Sequence, residues 1–228
     1  MYTLLLLNGG IGTRVGANQP KQFLKINGIP MIVYSAVRAE ACERINEIVI
    51  NYPEGWLDET RALIADYGIK TAIKYVPAGV TRHDSVRLML EAASNDKVLI
   101  HEAARPVISE QVFDRLIDCE FENVSYMLEI PFTVAPVDEE TQRVTGYLNR
   151  ATLRNVQLPQ KFNKSDLVDA HQCALTSDIF FTEDATLCAH FGKDVFFISG
   201  YDDNIKVTTK SDVKMVSHIL KTSGDEEL

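Results

Sequence analysis

The strongest constraint in this sequence is an alternation of two periods. Apolar runs of strand length, Thr3 to Leu7, Glu47 to Asn51, Thr71 to Val76, Lys97 to His101 and Ser125 to Ile130, are separated by segments of helical period, Met31 to Ala41, Trp56 to Tyr67, Asp84 to Ala93 and Val112 to Ile117. The first run, TLLLL, is continuously apolar after Thr3, so both of its faces need cover. Such strands alternating with helices predict an α/β chain: a mostly parallel sheet with helices on both faces. Ligands of such sheets gather beyond the carboxyl ends of the strands. A chain of 228 residues is long enough to bury a full core as one domain, 1–228, and it carries no repeat, low-complexity segment or linker.

The alternation breaks between Phe132 and Arg154. There, two β-prone runs flank the polar turn DEETQ, with little apolar surface to bury on their own chain. The segment predicts a projecting hairpin arm that meets a partner subunit; a hairpin folded back on its own sheet is the alternative. Thr222 to Leu228, TSGDEEL, reads as a solvated tail.

Charge narrows the function. The net charge of −9 argues against a general binder of nucleic acid or anionic membrane. Residues 1–39 hold no acid but contain Arg14, Lys21, Lys25 and Arg38, so this segment is +4 and the remainder −13. Cys42, Cys119, Cys173 and Cys188 are too dispersed for a zinc site or a disulfide framework and read as free thiols. No run is long enough to span a membrane, and Leu4 to Leu7 is too short for a signal-peptide core, which predicts a cytoplasmic protein.

Gly9, Gly10, Gly12 and Gly16 follow the first strand and let backbone amides approach a ligand. The spacing GGIGTRVG matches neither the dinucleotide fingerprint nor the phosphate loop ending in Gly-Lys-Ser/Thr. A nicotinamide site needs an acid about 20 residues after the loop, yet the first acid is Glu40. Arg14 and Lys21 suit a polyanion such as a nucleoside triphosphate. In GVTRHDSV, Thr81 or Asp84 suits a helix cap.

These motifs carry a resemblance. GGIGTRVGANQPKQFL, GVTRHDSV (79–86), HEAARP (101–106), LPQKF (158–162), TEDA (182–185) and DNIKVT (203–208) are similar, in order and rough spacing, to the cytidylyltransferases of sugar-alcohol phosphates, the family of methylerythritol phosphate and ribitol-5-phosphate cytidylyltransferases. The resemblance implies a single Rossmann-like domain whose hairpin arm forms a homodimer. It implies attack of a polyol phosphate on the α-phosphate of CTP, aided by Mg²⁺, with release of pyrophosphate and a CDP-alditol. By the same resemblance, Arg14 and Lys21 stabilise the triphosphate, while Gly9, Gly10 and Gly12 approach the nucleotide. Gly79, Arg82 and Ser85 form the cytosine pocket. Glu102 holds the metal where the family has Asp, and His101 is structural. Arg150 and Lys206 are catalytic and also bind the acceptor phosphate, joined on the acceptor side by Thr133, Thr182 and Arg105. Departures gather on that side: Leu158 replaces a threonine, Glu183 an aspartate, and Phe132 an acid. The GTRVG…PKQFLKINGIPMIVY stretch reads closer to the ribitol branch, with methylerythritol 4-phosphate as the alternative acceptor. A nucleotide-binding module that has lost catalysis is the alternative from another class.

Overall fold

The computed structural model describes residues 1–10, 19–177 and 179–223. Gly12, Gly16, Arg14 and the last residues of the tail lie outside that set. Chain order runs β1 (Tyr2–Leu7), β2 (Lys25–Ile26), β3 (Ile29–Pro30), α1 (Met31–Ala41), β4 (Ile45–Tyr52), α2 (Leu57–Ala65), β5 (Ala72–Pro77) and α3 (Arg82–Ala92). It continues with β6 (Lys97–Glu102), α4 (Glu110–Asp118), β7 (Val124–Glu129), β8 (Val137–Asp138), β9 (Arg143–Val144) and β10 (Arg154–Asn163). Last come α5 (Lys164–Ala174), α6 (Asp184–His190), β11 (Phe196–Ser199) and α7 (Lys210–Thr222). Seven strands form one sheet in the order β11-β7-β10-β6-β1-β4-β5.

Strand β1 sits between β4 and β6, parallel to both. Because side chains alternate across a strand, Leu4 and Leu6 join one core with Ile48, Ile50 and Leu99, while Leu5 joins another with Val49, Val98 and Ile100. All nine are fully buried. Burying a side chain of this size contributes roughly 1.5–3 kcal/mol, so the continuous apolar runs are accounted for by cover on both faces. Thr81 caps α3 in a capping box with Asp84, satisfying amides that the helix start leaves open.

The sheet is not wholly parallel. Strand β10 lies between β6 and β7 and runs antiparallel to both. Its sequence, RNVQLPQKFN, resists reading as a central strand, since Gln157, Gln160 and Lys161 are all buried. Two of them find backbone carbonyls: Gln157 Nε2 donates to Tyr201 at 2.9 Å and Lys161 Nζ to Cys119 at 2.6 Å. Such bonds offset the cost of burying polar groups. The register against β7 shifts between Gln157 and Gln160, the interval that holds Pro159, which has no amide hydrogen to give a ladder.

In the arm, ladder pairing is confined to β8 and β9. Asp138 Oδ1 accepts from the amides of Glu140 and Thr141, closing the turn. Phe132, Val137, Val144 and Tyr147 remain exposed, Tyr147 by 80 %. With so little apolar cover on its own chain, a hairpin has no reason to extend further.

Candidate active site

The carboxyl ends of β1, β4, β5 and β6 converge on a cleft of about 320 Å³. Its floor needs small residues. A Cβ on Gly9 would lie 2.6 Å from both Ala78 Cβ and Asn51 Nδ2, and one on Gly79 would lie 2.4 Å from Asp84 Cβ and 2.7 Å from the Ser85 amide nitrogen. Gln22, buried beside the glycines, donates through Nε2 to the carbonyls of Asn8 and Gly10, the latter at 2.7 Å. Its Oε1 is buried without a hydrogen-bond partner and belongs to a side chain lining the cleft.

Two lysines and an acid face this space. Lys206 Nζ donates to Glu102 Oε1 at 2.9 Å, and Lys21 Nζ donates to the Val207 carbonyl at 2.9 Å. Both lysines and Glu102 line the cleft. Arg105 approaches Glu102 Oε2 with Nε at 3.6 Å and donates to the Asn204 carbonyl at 2.8 Å. Burial would raise the Glu102 pKa, but Lys206, Arg105 and Arg82 outweigh it and hold the carboxyl below the usual range. Glu102 is therefore ionised at neutral pH. His101, the preceding residue, points the other way: wholly buried, with Nε2 3.1 Å from the Arg105 carbonyl and its ring edge-on to Phe113. Burial pushes its pKa down to about 4, so the ring is neutral and its role structural.

At the side of the cleft Arg82 meets two acids. Its Nη1 lies 2.7 Å from Asp184 Oδ2 and its Nη2 3.4 Å from Glu183 Oε2. Burial raises the Glu183 carboxyl, with Arg82 only partly offsetting it. For Asp184, fully buried, burial is outweighed by Arg82 and by the bond with His171, which hold it well below the ordinary value. Ser85 Oγ accepts from the Gly79 amide and donates to the Thr81 carbonyl, both at 3.0 Å.

A second cleft, of about 510 Å³, opens at the base of the arm between Thr133, Tyr147, Asn149, Arg150 and Arg154. Arg150 donates to the Pro131 carbonyl at 2.7 Å.

Comparison with known proteins shows the family to which the chain belongs. Residues 3–222 match the profile of the 2-C-methyl-D-erythritol 4-phosphate cytidylyltransferase family. The chain belongs to that family. It is 33% identical to the 2-C-methyl-D-erythritol 4-phosphate cytidylyltransferase of Bacillus cytotoxicus, covering 96% of this chain and 98% of that one. It is 30% identical to the ribitol-5-phosphate cytidylyltransferase of Lacticaseibacillus paracasei, covering 97% and 98%. Its fold is similar to that of the 4-diphosphocytidyl-2C-methyl-D-erythritol synthase of Anaerococcus prevotii, with a TM-score of 0.83, 24% identity and coverage of 97% and 98%. The protein is a cytidylyltransferase, a nucleotidyltransferase that uses CTP.

Within this cytidylyltransferase, Gly9, Gly10, Lys21, Gly79, Arg82, Ser85, Glu102 and Lys206 come together around the first cleft. Gly12 and Arg14 lie outside the described residues. Arg82 reaches the cleft, but its guanidinium is engaged by Asp184 and Glu183. Arg105 is turned onto Glu102 and Asn204 and supports the acid from behind. Thr182 is exposed just ahead of α6. Thr133 and Arg150 line the second cleft, which has no residue in common with the first. Leu158 is buried in the core with Leu5 and Phe162, so its side chain takes no part in either cleft. Gln22 and Asn51 also line the first cleft, and no sequence motif singles them out. Gln22 sits inside the PKQFL motif beside Lys21, and a neutral amide there carries no charge signal that would mark it.

Proposed function

We propose that this cytidylyltransferase transfers CMP from CTP to an open-chain polyol phosphate, with ribitol 5-phosphate as the first acceptor. The observation that carries the donor half is the cleft in which two lysines and an ionised acid face glycine-lined strand ends. A volume near 320 Å³ suits a nucleotide. The Ser85 hydroxyl has spent its proton on the Thr81 carbonyl. A lone pair is left to accept from the exocyclic amino group of cytosine, which donates there. Gln22 Oε1 supplies a second unsatisfied acceptor.

In the reaction an oxygen of the acceptor phosphate attacks the α-phosphorus of CTP. The bond from that phosphorus to the bridging oxygen breaks, and pyrophosphate leaves with the electron pair. Negative charge grows on the phosphate oxygens, and preorganised cations stabilise it. Lys21 and Lys206 are described at the cleft; we assign Arg14 to the same task. Glu102 fits a magnesium ligand: one oxygen is held by Lys206, while Oε2 is buried without a hydrogen bond. Mg²⁺ is commonly held by one or two carboxylates together with substrate phosphates. When bound, it supplies positive charge to the triphosphate.

Arg150, Thr133 and Lys206 are our acceptor-phosphate residues. Since Thr133 and Arg150 line a cleft of their own beside the exposed arm, we propose that the whole chain, 1–228, is one nucleotidyltransferase domain and that the arm, about 132–154, pairs two copies. Each arm would then bring Arg150 to its partner's nucleotide. Cys42, Cys119, Cys173 and Cys188 are free thiols, and among the described residues no helix is long and apolar enough to cross a membrane. Both support our cytoplasmic assignment. The second acceptor reading, methylerythritol 4-phosphate, is favoured by the matching family profile and by the Bacillus cytotoxicus relative.

Pyrophosphate release from CTP, measured against ribitol 5-phosphate, methylerythritol 4-phosphate and other polyol phosphates, tests the proposal. Highest kcat/KM with ribitol 5-phosphate supports it, and highest kcat/KM with methylerythritol 4-phosphate replaces the acceptor. CTP binding without turnover on any acceptor overturns the catalytic reading.

A further inference from the structure

Behind Arg82, three helices bring two imidazoles and a carboxylate together. His83 stands in the first turn of α3, His171 in the last turn of α5, and Asp184 at the start of α6. One ligand atom from each lies within 4.8 Å of the others. His171 and Asp184 are buried, joined by Nε2 and Oδ1 at 2.9 Å. The His83 ring lies 5.2 Å from the His171 ring, centroid to centroid.

The hydrogen bonds around this group dispose it toward a metal. His83 Nε2 faces the Phe181 carbonyl. A carbonyl only accepts, so Nε2 carries the hydrogen and the neutral ring keeps its lone pair on Nδ1. That atom is buried and has no partner. A metal-binding histidine usually has this arrangement, one nitrogen anchored to a carbonyl and the other available. Asp184 lies between two partners: Arg82 Nη1 is 2.7 Å from Oδ2, a charge contact, and Oδ1 is turned toward His171. Asp184 and Glu183 together place two carboxylates against one guanidinium. A cavity of about 150 Å³, lined by His83, His171, Phe180 and Phe181, opens beside the group with room for a further ligand.

We propose that His83, His171 and Asp184 form a binding site for a divalent transition metal of the zinc type, separate from the magnesium position at Glu102. Two nitrogens and one carboxylate oxygen suit zinc or cobalt, while magnesium prefers oxygen alone. The ion takes the place of the hydrogen between His171 Nε2 and Asp184 Oδ1, and that hydrogen moves to Nδ1 of the same ring, so that His171 ligates as a neutral imidazole. Zinc bonds of about 2.0–2.1 Å put two tetrahedral ligands roughly 3.3 Å apart. The 2.9 Å pair must open slightly, and the third ligand must draw in. Water or a small ligand from the cavity completes the coordination. The ion then sits one side chain behind the nucleotide cleft, since Arg82 reaches both.

Cobalt(II), titrated into chelator-treated full-length protein, tests this site through its visible absorption. The expected result is one ion per chain with the intense bands of four-coordinate cobalt, displaced by zinc. His83→Gln keeps a donor for the Phe181 carbonyl but lacks an imidazole lone pair, and His171→Gln likewise keeps a donor for Asp184. Each should weaken binding at least tenfold, while Glu102→Gln leaves it unchanged. Circular dichroism checks that each variant is folded; if His171→Gln is not, the more exposed His83 position decides alone. No cobalt bands at about 1 mM metal, equal affinity in wild type and His83→Gln, or loss of binding in Glu102→Gln overturns the proposal.

Discussion

Replacing Glu102 with glutamine keeps the size of the side chain and removes its charge. Glu102 is 7% exposed, and its carboxylate receives Lys206 at 2.9 Å and lies 3.6 Å from Arg105. Removing one partner of a buried ion pair costs about 3–5 kcal/mol. Two features reduce that here. The Lys206 side chain is 40% exposed and can turn to water, and Arg105 keeps the Asn204 carbonyl at 2.8 Å. A loss of about 2 kcal/mol follows, or a fall in Tm of about 4–8 °C for a chain this size. The catalytic effect is separable. If Glu102 also holds magnesium, the Mg²⁺ concentration for half-maximal rate should rise about tenfold or more, while CTP affinity without metal is undiminished because freed cations still face the triphosphate. Thermal melts and pyrophosphate release across a magnesium titration, both at pH 7.5, measure the two effects. An unchanged Tm refutes the ion-pair argument, and unchanged turnover with unchanged magnesium dependence removes Glu102 from the site.

Lys21→Ala should lower turnover by a factor of about 10² to 10³, the range for one preorganised charge donor; a fall below threefold at saturating CTP and Mg²⁺ makes Lys21 an ordinary surface cation. Deleting residues 137–146 should give a folded monomer with little activity, and light scattering that finds the unmodified protein monomeric would end the arm proposal. His101 is neutral in the fold, with a pKa of about 4 against an ordinary value near 6.5. Its contribution is therefore complete above about pH 6.5 and is lost as pH falls toward 4, where the unfolded chain takes a proton that the folded chain refuses. Urea unfolding at pH 7, 5.5 and 4.5 should show this decline, and His101→Gln should flatten it; equal slopes in the two proteins would refute the assignment.

The parallel half of the sheet could be read from the chain because its strands obey one rule. TLLLL, EIVIN and KVLIH are buried on both faces, and continuous hydrophobicity records that directly. Strand β10 obeys a different rule. Gln157 and Lys161 are buried in it because carbonyls distant in sequence accept from them, and no local pattern reports a partner 40 residues away. The β2–β3 hairpin has a local signal in the sequence, Asn27-Gly28. Asn27 and Gly28 both have positive φ, the conformation that an Asn-Gly turn between short strands calls for.

The site divides along the same line. The cleft proposed for the donor is made of strand ends and the loops that follow them, so its motifs fall beside it: Gly9 and Gly10 after β1, Gly79 after β5, Glu102 at the end of β6. What spacing could not convey was where charges point. Arg82 follows Gly79 by three residues, yet its guanidinium is fixed by Asp184, 102 positions later. Arg105 follows Glu102 by three and turns back onto it. In both cases a cation read as a ligand contact is held by an acid, so among the described residues the positive field over the cleft comes from Lys21 and Lys206, the latter already shared with Glu102. A polyanion entering this cleft must therefore compete with Glu102 for Lys206. The acid thus sets how much of that charge the nucleotide receives, whether or not it also holds a metal.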